Sequence, residues 1–228
     1  MKSIAIIPAR GGSKRIKNKN IKKFHGKPII SYSIETAIKS GCFENIYVST
    51  DSPEIAEIAE DYGASVPFLR KKNIADDTTD TLTVIKDAIR NLEKIDDFEN
   101  VCCLYATAPL LTSDYLVRGD DLCQKDSESF VISISGYSHP IQRSFKISEA
   151  SRLVIKTQDS FSQRTQDLDE YFHDAGQFYF GHKSTFLNSD SIINENSSAI
   201  LIPKRMACDI DNHDDWELAE ALYRFQNP

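Results

Sequence analysis

The sequence lacks most of the features that mark specialised chain classes. It has no apolar run of membrane-spanning length, and its first one, Ile4 to Ile7, stops at Pro8 and Arg10, too short for the hydrophobic region of a signal sequence. It has no basic stripe: the net charge is −7 and Lys and Arg are scattered, which argues against a nucleic-acid partner. With 9 glycines and 8 prolines in 228 residues, and no repeat, low-complexity stretch or long like-charge block, little of it reads as linker or disorder. Cys42, Cys102, Cys103, Cys123 and Cys208 are odd in number and lack C-x-x-C spacing, so they read as reduced, buried thiols. These absences leave a soluble, cytoplasmic protein with no membrane or nucleic-acid partner. At 40% hydrophobic, the chain is long enough for residues 1–228 to form a single domain.

What is present is an alternation of short Val- and Ile-rich runs with segments of helical period, the pattern of βα units around a mostly parallel sheet. Strands are predicted at Ser3–Ile7, Asn45–Ser49, Val101–Tyr105 and Phe130–Ser135. Ile30, Ile34, Ala37 and Ile38 make one helical face between Pro28 and Gly41; Ile55, Ile58, Ala59 and Tyr62 make a second, opened by Ser52-Pro53-Glu54 and closed by Gly63. A third helix runs from about Asp80 to Lys94 on Leu82, Ile85, Ile89 and Leu92; a fourth closes the core with Leu218, Leu222 and Phe225. From Tyr137 to Tyr171 neither period holds, so this stretch reads as an excursion from the sheet, too small to fold alone.

The first strand runs into Ala9-Arg10-Gly11-Gly12-Ser13-Lys14-Arg15. Glycines that let backbone N–H groups approach phosphate oxygens, a serine hydroxyl and three cations converge within seven residues, the parts of an anion site. The spacing is neither a Walker A loop nor G-x-G-x-x-G, so neither P-loop nor dinucleotide chemistry fits. Taken alone, the loop is equally a basic surface turn.

Its setting adds Lys19-Asn20, Gly26-Lys27-Pro28-Ile29 and Val48-Ser49-Thr50-Asp51, then Leu69-Arg70, Ala75-Asp76-Asp77, Thr107-Ala108-Pro109-Leu110 and Asp209-Ile210-Asp211. In order and spacing the set resembles the CMP-sialic acid synthetase family, the cytidylyltransferases that activate acidic sugars. Within it, Ser138-His139-Pro140-Ile141-Gln142-Arg143 and His173-Asp174-Ala175-Gly176-Gln177-Phe178-Tyr179 look most like the pseudaminic acid branch. The resemblance implies a Rossmann-like three-layer α/β nucleotidyltransferase fold, a mostly parallel sheet with helices on both faces and a protruding dimerisation arm at about 137–171. It implies a homodimer in which that arm reaches the other subunit's sugar site.

The same resemblance implies roles. Ala9, Arg10, Gly11, Gly12, Ser13 and Lys19 would hold the triphosphate of CTP, Asn20 the ribose, and Arg70, Thr79 and Thr81 the pyrimidine. Arg10 and Lys19 are also expected as catalytic cations, since charge builds on the phosphates as pyrophosphate departs. Asp209 and Asp211, alternating on an expected strand end, would share a hard cation such as Mg²⁺; composition alone reads them as an acidic surface turn, with Asp214 and Asp215 close behind. Asp211, through metal or water, is the leading candidate for general base. Arg143 and Arg164 are candidates for a nine-carbon sugar's carboxylate, with Gln142, Gln177 and Tyr179 for its hydroxyl and acylamino groups; equally, the arginines could brace an irregular arm. Tyr105 stands where sialic acid enzymes typically carry an amide, which points to a different sugar, although the ring could equally be packing. His139 and His173 read as structural. N-acetylneuraminic, legionaminic and 3-deoxy-octulosonic acids stay open as acceptors, as does a nucleotide-binding protein without turnover.

Overall fold

The computed structural model describes residues 1–155 and 157–227. In chain order its elements are β1 (Ser3–Pro8), the short pair β2 (Lys23–Phe24) and β3 (Lys27–Pro28), α1 (Ile29–Ser40), β4 (Asn45–Ser49), α2 (Pro53–Asp61), α3 (Thr81–Leu92), β5 (Asn100–Leu104) and α4 (Ser113–Lys125). There follow β6 (Val131–Gly136), β7 (Phe145–Ile147), β8 (Leu153–Ile155), β9 (Phe172–His182), α5 (Lys183–Asn188), β10 (Ser198–Leu201) and α6 (His213–Gln226).

The central sheet has the order β10-β6-β9-β5-β1-β4, parallel except for β9, which runs antiparallel to both neighbours. Strand alternation divides the core in two. Ala5 and Ile7 face a cluster with α1, α2, α4 and α6, while Ile4 and Ile6 face one with α3 and α5, which makes three layers with helices on both faces. The apolar runs of β1 and β5 are buried on both sides, which is why they read as unbroken rather than alternating.

The predicted helices form where their punctuation put them. The Ser52 side chain accepts the Ile55 N–H at 3.4 Å with Pro53 in the first turn, Asp80 caps α3 through the Thr83 N–H at 2.8 Å, and Gly41 and Gly63 take positive φ beyond the helix ends. Two expected faces differ. Ile38 is half exposed, and α6 buries Trp216 and Ala219, with Leu222 and Tyr223 partly covered, while Leu218 and Phe225 are exposed. The α6 stripe is set by an aromatic cluster: Phe24 meets Trp216, Tyr223 and Tyr32 edge-on at 5.4–5.5 Å, and that contact rotates the helix away from the leucine-led face.

Residues 137–171 are an insertion in the turn between β6 and β9. The two strands are still paired at Gly136 and Phe172, and the Tyr137 N–H donates to the Tyr171 carbonyl at 3.2 Å, so the excursion starts and ends where the sequence places it. Inside it the β7–β8 hairpin exposes Phe145, Ile147, Leu153, Val154 and Ile155.

Candidate active site

The carboxyl ends of β1 and β5 open into one cleft of about 380 Å³. It is lined by Arg10, Ser13, Arg15, Lys19 and Asn20 from the loop after β1, by Arg70, Asp76, Asp77 and Thr79 ahead of α3 and Thr81 at its first residue, by Tyr105, Ala106 and Thr107 beyond β5, and by Asp211. This is the place where an open α/β sheet holds its ligands, because parallel strands deliver successive loops to one edge. Of the predicted residues, Arg10, Ser13, Lys19, Asn20, Arg70, Thr79, Thr81, Tyr105 and Asp211 meet here.

The loop's glycines do something other than expected. The Gly11 N–H is taken by the Asp51 carboxylate at 2.9 Å, and a Cβ on Gly11 would come 3.0 Å from the Ser52 Cβ. Gly11 therefore lets the loop pack on the β4–α2 turn, and its amide is already bonded. Gly12 has open space around it, and neither glycine nor Ala9, whose N–H donates to Ser49 in the sheet edge, lines the cleft.

The cations are held by the protein's own acids. Arg10 pairs with Asp77 at 2.5 Å and donates to the Asp76 carbonyl at 2.7 Å, and Lys14 pairs with Asp77. Arg15 pairs with Asp211 at 2.9 Å, and Lys19 donates to the Ile210 carbonyl at 2.5 Å with Asp211 3.6 Å away. Hydrogen bonds from Lys14, and then from Arg10, hold Asp77 below the ordinary carboxylate range. Asp76 is pulled to about 2, chiefly by the Thr79 hydroxyl, and with the Thr78 and Thr79 amides it folds the segment that crosses the cleft. Asn20 is buried and donates to the Arg10 carbonyl at 3.0 Å, tying the two ends of the loop together.

Arg70 is different. It is 6% exposed, donates from Nε to the Ser49 hydroxyl at 3.2 Å and from a terminal nitrogen to the Ser49 carbonyl, and among the described residues no carboxylate lies within ion-pair distance. Burial lowers its pKa, yet a guanidinium stays charged. A buried cation without a partner is costly to keep, so its open donors mark a place for an acceptor ligand.

Asp209 and Asp211 are not on a strand end. The last strand stops at Leu201, and the Asp211 and Asn212 N–H groups both go to the Asp215 carboxylate at 2.9 Å, a capping box that starts α6 instead of a sheet ladder. Asp211 enters the cleft; Asp209 lies outside its lining, near Gly176. Asp209 is exposed on one side and crowded on the other. Its pKa is raised by desolvation and then by the Asp211 charge, with Asp174 and Asp215 adding and Lys19 opposing. Crowded carboxylate oxygens suit a hard divalent ion. Among the described residues no three His, Cys, Asp or Glu side chains are placed to hold one, so further ligands would have to come from phosphate and water.

The expected sugar residues split. Tyr105 lines the cleft, and its hydroxyl lies 3.3 Å from that of Thr81. Both also line an adjoining pocket of about 290 Å³ with Tyr179, Asp190, Ile192 and Ile193. Gln177 is fully buried beneath this corner; its side-chain amide donates to the Ala175 carbonyl at 2.9 Å and its own carbonyl accepts the Tyr105 N–H at 2.9 Å. Gln142, Arg143 and Arg164 are not in the cleft. Gln142 donates to the Asp169 carbonyl at 2.8 Å, Arg143 to the Ser160 carbonyl and the Thr165 hydroxyl at 3.0 and 3.1 Å, and Arg164 pairs with Asp167 at 2.8 Å, so within this chain they brace the arm. The sequence marks Arg15 as a loop cation and Asp77 as part of a motif without assigning either a site role, and the Asp190–Ile193 corner escapes it. Arg15 and Asp77 sit inside the quoted motifs, whereas Ile192 and Ile193 carry no local signal.

Comparisons with known proteins bear on the family and the fold. Residues 4–139 match the cytidylyltransferase family. A pseudaminic acid cytidylyltransferase from Campylobacter jejuni is 43% identical over 98% of this chain and 97% of its own length, and a CMP-N,N'-diacetyllegionaminic acid synthase from Legionella pneumophila is 32% identical over 97% and 96%. In fold, a CMP:2-keto-3-deoxy-manno-octonic acid synthetase solved with CTP superposes with a TM-score of 0.73 at 14% identity, covering 99% of this chain and all of that one. The loop, the sheet edge that carries it and the extent of the matches lead to one conclusion: the chain belongs to the cytidylyltransferase family and is a nucleotidyltransferase.

Proposed function

We propose that the protein transfers CMP from CTP to a nonulosonic acid, pseudaminic acid first among them, and releases pyrophosphate. The observation that carries this reading is a single cleft that brings together Arg10, Ser13 and Lys19 with the buried Arg70, which has no carboxylate partner among the described residues, and with Thr79 and Thr81, while Tyr105 opens a second pocket beside them. Arg70 offers donors, and cytosine offers acceptors at O2 and N3. The two tyrosines and two isoleucines of the adjoining pocket suit a sugar that carries acylamino groups, whose methyls want apolar contact and whose N–H groups want acceptors.

In the reaction the sugar's anomeric hydroxyl attacks the α-phosphorus in line. The new O–P bond forms as the bond to the bridging β-oxygen breaks, pyrophosphate leaves with that electron pair, and the hydroxyl proton passes to water or to Asp211. Arg10 and Lys19 offset the growing phosphate charge, which is where phosphoryl-transfer catalysis chiefly comes from. To reach the phosphates, Arg10 and Lys14 leave Asp77, so nucleotide binding exchanges one anion for another. Asp209 and Asp211 would hold Mg²⁺, which when bound supplies charge neutralisation at the triphosphate.

We further place the enzyme in the cytoplasm, where its five free thiols fit a reducing compartment, and as a homodimer, for which the exposed apolar hairpin β7–β8 is the supporting feature. Among the described residues no helix is long and apolar enough to cross a membrane. A dimer would bring Gln142, Arg143 and Arg164 to the partner's sugar site.

The test is incubation with CTP, Mg²⁺ and a panel of pseudaminic, legionaminic, N-acetylneuraminic and 3-deoxy-octulosonic acids, with mass detection of CMP-sugar. Product is expected foremost with pseudaminic acid. No product across the panel would sink the reading, and a monomeric mass in solution would remove the dimer.

A further inference from the structure

Asp174 and Tyr179 lie five residues apart on β9, and in a regular strand an odd separation puts two side chains on opposite faces. Here they touch: the Tyr179 hydroxyl donates to Asp174 Oδ2. The cause is an irregularity in the ladder. Ile132 pairs with Tyr179 and Ile134 with Asp174, so two steps along β6 are matched by five along β9. Residues that stand opposite a same-face pair share that pair's face, and the extra residues of β9 bulge out between them. The bulge turns on Gly176, which takes a φ of +61°, and its N–H donates to Asp174 Oδ1 at 2.9 Å. One carboxylate thus secures the bulge with one oxygen and the phenol with the other.

The phenol so held belongs to the acceptor pocket. Tyr179 meets the Tyr105 ring edge-on at 5.7 Å, and the two line the 290 Å³ pocket that adjoins the nucleotide cleft. Asp174 stands behind this pocket, in a neighbouring hollow of about 240 Å³ that shares Ile193 with it. A phenol has one proton to donate. Once that proton is directed to Asp174, the Tyr179 oxygen can only accept from whatever fills the pocket. A residue without an acceptor oxygen in place of Asp174 would free the phenol to turn and donate instead.

We propose that Asp174 is a positioning residue for acceptor choice: by taking the Tyr179 proton it fixes that oxygen as an acceptor and selects sugar acids that bring an N–H or O–H donor there, acylamino groups above all. The inference rests on the reading of the protein as a sugar-acid cytidylyltransferase. It adds a residue that touches neither nucleotide nor reacting atoms.

The test is steady-state kinetics of Asp174→Ala, Asp174→Asn, Tyr179→Phe and the double variant Asp174→Ala/Tyr179→Phe, on the acid sugar that the unmodified enzyme turns over. Hydrogen bonds to charged groups are worth enough for a roughly tenfold rise in KM for the sugar in Asp174→Ala. KM for CTP and the rise in melting temperature with CTP should be unchanged, and Asp174→Asn, which keeps one acceptor oxygen, should recover part of the loss. The double variant should be no worse than the poorer single one, since both remove the same oriented oxygen. Losses that multiply, or equal rises in both KM values, would overturn the proposal. If Asp174→Ala does not fold, the comparison rests on Asp174→Asn, whose sugar KM must still rise while its CTP response holds. An unmodified enzyme that turns over no acid sugar defeats the functional reading; one that does, with sugar KM unmoved in the Asp174 variants, defeats only this inference.

Discussion

The two halves of the site are built in opposite ways. The nucleotide half is dense in charge and short in sequence. Arg10, Ser13, Lys19 and Asn20 come from one loop and Arg70, Thr79 and Thr81 from one more, and the loop's cations are neutralised in advance by Asp77 and Asp211. The acceptor half has few charges and is gathered from distant places: Thr81 at the start of α3, Tyr105 after β5, Tyr179 on a bulged strand and Ile192–Ile193 beyond α5. Phosphate needs fixed charge and donors, which neighbouring residues can supply, whereas a sugar's shape needs walls, which only the tertiary fold brings together.

If that contrast is right, the largest kinetic loss should come from the charged half. Arg10→Ala is expected to lower kcat/KM by ~10²–10³, the usual loss when one donor to developing charge is removed, with the sugar KM little changed. An equal rise in sugar KM would break the division. Asp211→Ala should come next. It should weaken dependence on Mg²⁺ by about 10–100-fold in affinity, the range for disturbed metal surroundings, readable as the Mg²⁺ concentration at half-maximal rate.

The contrast also explains what the sequence could and could not convey. The strands of β1, β4 and β5, the cap at Ser52 and the extent of α3 were legible because each is a local statement. The excursion at 137–171 was legible as a loss of period. β9 was not read as a strand, although it fills the centre of the sheet, because the branch-specific residues His173–Tyr179 interrupt its alternation with a bulge. The strand expected at Asp209 does not form because a capping box at Asn212 and Asp215 satisfies the backbone there in place of a ladder. Arg143 and Arg164 carried the right chemistry for a carboxylate, but their partners within the chain are the arm's own carbonyls and Asp167.

Smaller effects should sharpen the comparison on its acceptor side. Tyr105→Phe deletes a hydroxyl shared with Thr81 and should raise the sugar KM by about fivefold, in line with ~1 kcal/mol for a neutral hydrogen bond, while leaving the CTP KM alone. Asp77→Asn should lower the CTP KM a few-fold, because it frees Arg10 and Lys14 from the anion that triphosphate must displace; a higher CTP KM would mean that Asp77 organises the loop instead.

The smallest expected change concerns Asp209, whose pKa is raised by burial and by Asp211. For a carboxylate raised in the fold, ionisation opposes folding, so the folded state gains relative stability as pH falls through that pKa. Asp209→Asn should accordingly raise the melting midpoint slightly at neutral pH without divalent ions and blunt the response to Mg²⁺. A lower midpoint without Mg²⁺ would contradict the charge crowding.

The most direct test of the two-part site is a crystal structure with CMP-sugar bound. The cytosine is expected against Arg70, Thr79 and Thr81, the phosphate beside Arg10 and Lys19, and the sugar on the Tyr105–Tyr179 side with an acylamino donor at the Tyr179 oxygen. Product bound away from the cleft, or a sugar lying on the opposite side from Tyr105, would contradict the account.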